Sequence, residues 1–177
     1  SSDVCSSDLC RNGTIESRIR FSLMLKFVNT DIVCQEYPDE IALAINISGC
    51  PCHCPGCHSS FLAADKGEML TCEVVEKLIE EADSSISCIG FMGGDADPAC
   101  INMLASHVRT KFPKLKVGWY SGRTMIASDI QLSNFDYIKI GPYLKHLGGL
   151  KSKRTNQKMF NINSSGEMID ITYRFQV

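Results

Sequence analysis

The sequence predicts an α/β fold built on a mostly parallel sheet. Three observations lead there: short apolar segments with strand character, amphipathic helical segments between them, and a glycine- or cysteine-bearing loop after each of the first four strands. Strands joined by helical crossovers pair in parallel with right-handed connections. Ligands of such sheets gather where the strands end.

Ile41, Leu43, Ile45 and Ile47 alternate with smaller or polar residues, a half-buried strand ending at Ser48-Gly49. Thr71 can cap a helix from Cys72 to Ala82, with Val75, Leu78, Ile79 and Ala82 on one face. Ile86 to Met92 reads as the second strand, closed by Gly93-Gly94. Asp97-Pro98 starts the next helix, a cap followed by proline at the first helical position, with Ile101, Leu104, Val108 and Phe112 as its apolar face. Leu115 to Tyr120 is the third strand and Phe135 to Ile140 the fourth, with a short helical piece predicted near Met125 to Leu132. Two further strands, Met159 to Ile162 and Met168 to Phe175, end the chain.

A length of 177 residues suits one domain with a sizeable core. With 44% hydrophobic and 21% charged residues, long disorder is not expected. The net charge of −2 and the lack of a basic block argue against a nucleic-acid partner, and no apolar run approaches the roughly 18 residues of a membrane span. Ser1 to Leu9, SSDVCSSDL, looks like the in-frame translation of a sequencing adapter. Residues 1–23 are assigned no function, and the single domain is expected over residues 24–177.

Four of the ten cysteines, Cys50, Cys52, Cys54 and Cys57, crowd into one segment, too close for a disulfide framework. A metal site in a reducing cytoplasm fits them better. Cys34, Cys72, Cys88 and Cys100 stand singly in apolar contexts and read as small buried hydrophobes. Cys50, Cys54 and Cys57 have the spacing C-x3-C-x2-C. Three thiolates hold three irons of a cubane that ordinarily takes four cysteines, leaving one iron for a small molecule. A zinc site is the plainer alternative, since His53 and His58 are also at hand, but zinc usually draws ligand pairs from separated segments. Cys52 falls outside the spacing and reads as a bystander or a target of oxidation. Gly93-Gly94-Asp95 lets backbone approach a ligand, although the same tripeptide makes an ordinary turn. Tyr120, Ser121 and Lys139 could face the same cleft, or be a strand end and a surface lysine.

The C-x3-C-x2-C motif is the signature of the radical S-adenosylmethionine (SAM) enzymes, which the chain resembles from that motif onward. Within that superfamily it is similar to the activating proteins of anaerobic (class III) ribonucleoside-triphosphate reductases. The resemblance is carried by Tyr37-Pro38-Asp39-Glu40, Ile45 to Cys50, Cys54 to Ser59, Phe91 to Asp95, Trp119 to Arg123, Asp136 to Tyr143 and Thr155-Asn156-Gln157. It implies a shortened, open partial (β/α) barrel of the radical SAM type. It also implies a [4Fe–4S] cluster on Cys50, Cys54 and Cys57, with SAM chelating the open iron and cleaved reductively to a 5′-deoxyadenosyl radical. Gly93, Gly94 and Asp95, which departs from the commoner Glu, would face the methionine amino group. Gly56, Cys57 and His58 would lie beside the adenine, with Tyr120, Ser121 and Lys139 near the rest of SAM. The implied partners are the reductase, through a glycine near its C-terminus, and a flavodoxin-like electron donor, with Leu144 to Asn156 as a candidate docking loop. The rival readings are an activase of the pyruvate formate-lyase type and a non-catalytic iron–sulfur or zinc module.

Overall fold

The computed structural model describes residues 25–82 and 84–176. Residues 1–23, assigned no function from the sequence, lie outside the described residues.

The described residues form one sheet of eight strands with two α-helices. The strands are β1 (Lys26–Val33), β2 (Ala42–Ile47), β3 (Glu68–Met69), β4 (Cys88–Met92), β5 (Lys116–Tyr120), β6 (Tyr137–Ile140), β7 (Lys158–Ile162) and β8 (Met168–Asp170); the helices are α1 (Cys72–Glu81) and α2 (Pro98–Lys111). The spatial order is β3-β1-β2-β4-β5-β6-β7-β8. Pairing is parallel from β2 to β6 and antiparallel elsewhere.

The sheet is therefore mixed, and the expected mostly parallel pairing holds for its centre alone. The reason lies in the connections. β1 reaches β2, and β7 reaches β8, through short links with no crossover helix, and such links join antiparallel neighbours.

Both helices start where their caps place them. Thr71 Oγ1 accepts from the Val74 amide at 3.3 Å and Asp97 Oδ1 from the Cys100 amide at 3.0 Å. Val75 and Ile79 of α1 and Ile101, Leu104 and Val108 of α2 are buried against Leu43, Ile45, Ile89, Phe91, Val117, Trp119 and Ile138. The opposite face has a second, smaller core of Tyr37, Ala42, Cys88, Tyr137, Leu150, Met159 and Ile171. Tyr37, 1% exposed, lies flat on this face where Gly90 and Gly118 leave room; a Cβ at Gly90 would stand 2.7 Å from its ring.

Two predicted elements differ. Residues 125–131 form no helix: Ile126, Ala127 and Ile130 serve as apolar anchors of an irregular connection, and one 3₁₀ turn, Leu132–Asn134, follows. The last strand stops at Asp170, because Asp170 Oδ1 accepts from the Thr172 amide at 2.9 Å and turns the chain into the 3₁₀ turn Thr172–Phe175. Cys88 and Cys100 are buried and Cys72 half-buried, as their contexts suggest, but Cys34 is exposed in the polar β1–β2 connection. No helix among the described residues is long and apolar enough to cross a membrane.

Candidate metal centre

The four central strands are parallel, so the loops leaving β2, β4, β5 and β6 emerge along one edge. Those loops carry the cysteine cluster, Gly93-Gly94-Asp95, Ser121-Gly122-Arg123 and Gly141-Pro142 respectively.

The cysteine loop is clamped at its base. The amides of Gly49 and Cys50 donate to the carbonyls of Ala64 and Leu62, and Leu62, 5% exposed, anchors the returning turn. Gly49, His53 and Gly56 have left-handed backbones at φ +70°, +43° and +76°. Glycine adopts this conformation freely, while His53 carries a steric cost of about 1–2 kcal/mol. These reversals fold residues 50–57 into a compact loop whose cysteines are all half-buried free thiols. His58 is exposed, with Nδ1 3.1 Å from Ser59 Oγ.

Asp95 knits the neighbouring loops together. At 1% exposure, its Oδ1 accepts from Ser121 Oγ at 2.6 Å and its Oδ2 from the Gly122 amide at 2.7 Å. The Arg123 guanidinium bonds the Asp95 carbonyl at 2.6 Å and stands 3.6 Å from the carboxylate. The two preceding glycines serve the protein's own packing. Both have positive φ; a Cβ on Gly93 would press on the Ile47 carbonyl at 3.1 Å, and one on Gly94 would overlap Ile101.

Lys139 enters from β6, 7% exposed, and donates to the carbonyls of Gly141 at 2.6 Å and Ser121 at 3.3 Å. Burial pushes its ammonium down to about 8, against the pull of Asp95 and the thiols of Cys54, Cys57 and Cys52. It is thus a buried cation facing the cysteine loop and not a surface lysine. Tyr120, its register partner on β5, is turned toward the second core: its hydroxyl donates to the Glu36 carbonyl at 2.7 Å and its ring meets Tyr37 edge-on at 5.5 Å.

Among the predicted site residues, the structure gathers Cys50, Cys54, Cys57, Asp95, Ser121 and Lys139 at this edge, with Gly56 on its rim. Tyr143 and Lys145 lie against Gly56, so the basic loop borders the cysteine loop directly. Cys52, read from its spacing as a bystander, is packed inward, with Sγ 3.8 Å from Asp95 Oδ2. Burial, then the charge of Asp95, pushes its thiol up to about 12. Sequence spacing could not reveal this contact, because it joins loops 43 residues apart.

The donor chemistry suits an iron–sulfur cluster. Four soft thiols stand within eight residues of one loop, with a buried cation beside them to offset the charge of a thiolate-bound cluster. Among the described residues, no three His, Cys, Asp or Glu side chains are closed to the spacing of a single metal ion. A cubane distributes its cysteine ligands over separate irons and does not require that closure.

No curated protein and no solved structure matches the chain. The family model of a 4Fe-4S single cluster domain matches residues 41–149, a span that begins at β2 and holds all four loops of this edge. With that match over more than half of its 177 residues, the chain belongs to the 4Fe-4S single cluster domain family.

Proposed function

We propose that this iron–sulfur protein is a radical SAM activating enzyme that generates the glycyl radical on an anaerobic ribonucleoside-triphosphate reductase. The observation that carries the reading is the shared edge: a three-cysteine motif faced by the loops of the next three parallel strands. When bound, the cluster and SAM supply the reductive cleavage that yields methionine and a 5′-deoxyadenosyl radical.

The chain's own residues bind, orient and shield. Cys50, Cys54 and Cys57 hold the cluster. Backbone groups of Gly56, Cys57 and His58 border the adenine, where the neighbouring Tyr143 and Lys145 narrow the approach. Gly93, Gly94, Asp95 and Ser121 form the wall opposite the cluster, and Lys139 supplies positive charge for a carboxylate. Tyr120 supports that wall from behind. The open, eight-stranded sheet serves as a shortened partial barrel whose mouth the reductase covers, with residues 144–156 beside the docking face. A flavodoxin-like donor supplies the electron.

A second reading, a non-catalytic iron–sulfur module, is favoured by one detail: both Asp95 oxygens already have protein donors. The test combines reconstituted, reduced protein with SAM and a class III reductase, followed by electron paramagnetic resonance. A glycyl radical on the reductase that is missing with Cys54→Ala supports the proposal. A radical formed instead on a pyruvate formate-lyase would assign the other activase branch, and none on either would favour the non-catalytic module.

A further inference from the structure

Charge is spread unevenly over this chain. Its net charge is −2, yet residues 144–158 hold Lys145, Lys151, Lys153, Arg154 and Lys158 and no Asp or Glu. Lys158 is paired with Asp170 at 3.0 Å. The other four cations are exposed, and among the described residues none of them forms an ion pair.

The loop that holds them is tied down. It leaves β6 and returns to β7 at the edge of the cysteine loop, since Ile140 pairs with Lys158. Across its base, Asn156 Nδ2 donates to the Pro142 carbonyl at 2.9 Å. Thr155 Oγ1 donates to the Gly148 carbonyl at 3.2 Å, and Leu150, 9% exposed, is set in the second core. A backbone ordered in advance has less freedom to lose when a partner docks.

Its position beside the thiols gives the charge a use. Lys145 lies against Gly56, where a Cβ would stand 3.5 Å from its Cδ. Pro55 and Gly56, between Cys54 and Cys57, are exposed. The crest of the cysteine loop therefore meets solvent next to unpaired positive charge. Electron transfer weakens steeply with distance, so a redox partner exchanges electrons best where the cluster-bearing loop is bare. An acidic face on that partner complements the cations and speeds encounter.

We infer that residues 144–156 are the docking surface for an acidic one-electron carrier protein, which meets the cluster across Pro55 and Gly56. The carrier is oxidised by one electron and [4Fe–4S]²⁺ is reduced to [4Fe–4S]⁺; no bond forms or breaks. The inference rests on the iron–sulfur centre at this edge and gives the donor of the proposed function its seat. It does not depend on SAM cleavage.

The test runs the exchange in reverse, since one docking surface serves both directions. Protein reconstituted without SAM is photoreduced to [4Fe–4S]⁺ and mixed anaerobically with oxidised, acidic flavodoxin. One electron leaves the cluster, the flavin takes it with a proton from water, and the absorbance of the neutral semiquinone is followed. Native protein is compared with Lys151→Gln/Lys153→Gln/Arg154→Gln and with Lys145→Gln. A control, Lys77→Gln/Lys111→Gln/Lys114→Gln, removes the same charge as the loop triple from α1 and the end of α2. At low ionic strength the loop triple is expected to slow transfer about tenfold and Lys145→Gln by less, with the control near native. Added salt should slow the native protein and change the loop triple little. A neutral quinone should oxidise native protein and the loop triple at one rate. Equal flavodoxin rates in native protein and both loop variants, or an equal loss in the control, overturn the inference. Should the loop triple fail to fold, Lys145→Gln against native decides by the same comparison. An unchanged flavodoxin rate, with more reductase needed for half-maximal glycyl radical formation, would give the loop to the reductase and also overturn it. A native protein that takes up no cluster would overturn the metal centre and this inference together. Because SAM is absent from the transfer assay, a failure of the proposed SAM cleavage leaves its result unaffected.

Discussion

Asp95 has no side-chain oxygen free of protein donors, and that defines what its removal does. Without the carboxylate, the buried Ser121 hydroxyl and the Gly122 amide lose their acceptor, at about 1–3 kcal/mol for each unsatisfied group. Asp95→Ala is expected to lower stability by about 2–4 kcal/mol in urea unfolding, and Asp95→Asn by less, since one acceptor oxygen remains. Arg123→Ala should cost about 1 kcal/mol, because its side chain is 44% exposed and solvent screens its ion pair with Asp95. Lys139 gives a pH-dependent signature. In the metal-free protein, its native ammonium releases its proton near pH 8, while the unfolded chain holds it to about 10.4. The burial penalty is therefore full at neutral pH, and Lys139's contribution to stability rises through that window. The stability difference between native protein and Lys139→Met should shift toward native by about 2–3 kcal/mol between pH 7 and pH 10. An unchanged difference would mean that the lysine is not desolvated.

At the scale of elements, glycines and caps decide most of what was readable. Thr71 and Asp97-Pro98 fixed the helix starts to the residue, because a cap is a local interaction and needs no tertiary partner. β1 was missed for the converse reason. Its sequence, Lys-Phe-Val-Asn-Thr-Asp-Ile-Val, buries Phe27 alone, and Asn29 and Asp31 bond Asn46 of β2 across the strands. A strand held by pairing and polar cross-strand contacts has no hydrophobic period to read. The connection at residues 125–131 misled in the opposite sense, since its apolar residues anchor a loop. Gly118 supplies the sharpest packing test. A Cβ there overlaps the Tyr37 ring, so Gly118→Ala should destabilise by about 1–3 kcal/mol. Most of that cost should vanish in a Tyr37→Ala background, as a double-mutant cycle would report; additive effects would show that the two residues do not share this contact.

Over the whole molecule, the fold explains why the candidate site lies where it does. Parallel pairing from β2 to β6 brings four loops to one edge, and antiparallel strands extend the sheet on both sides. The cysteine spacing and the strand-end loops were legible because each is a local pattern. The inward turn of Cys52, the Asp95 contacts and the burial of Lys139 were not, because each joins segments distant in sequence. The central claim is that this edge cleaves SAM, and it is tested by anaerobic reconstitution with iron and sulfide, reduction with dithionite in the presence of SAM, and assay of 5′-deoxyadenosine. The account predicts product from the native protein and none from Cys54→Ala. An intact [4Fe–4S] cluster that yields no 5′-deoxyadenosine, or a colourless protein that takes up zinc instead, would contradict it.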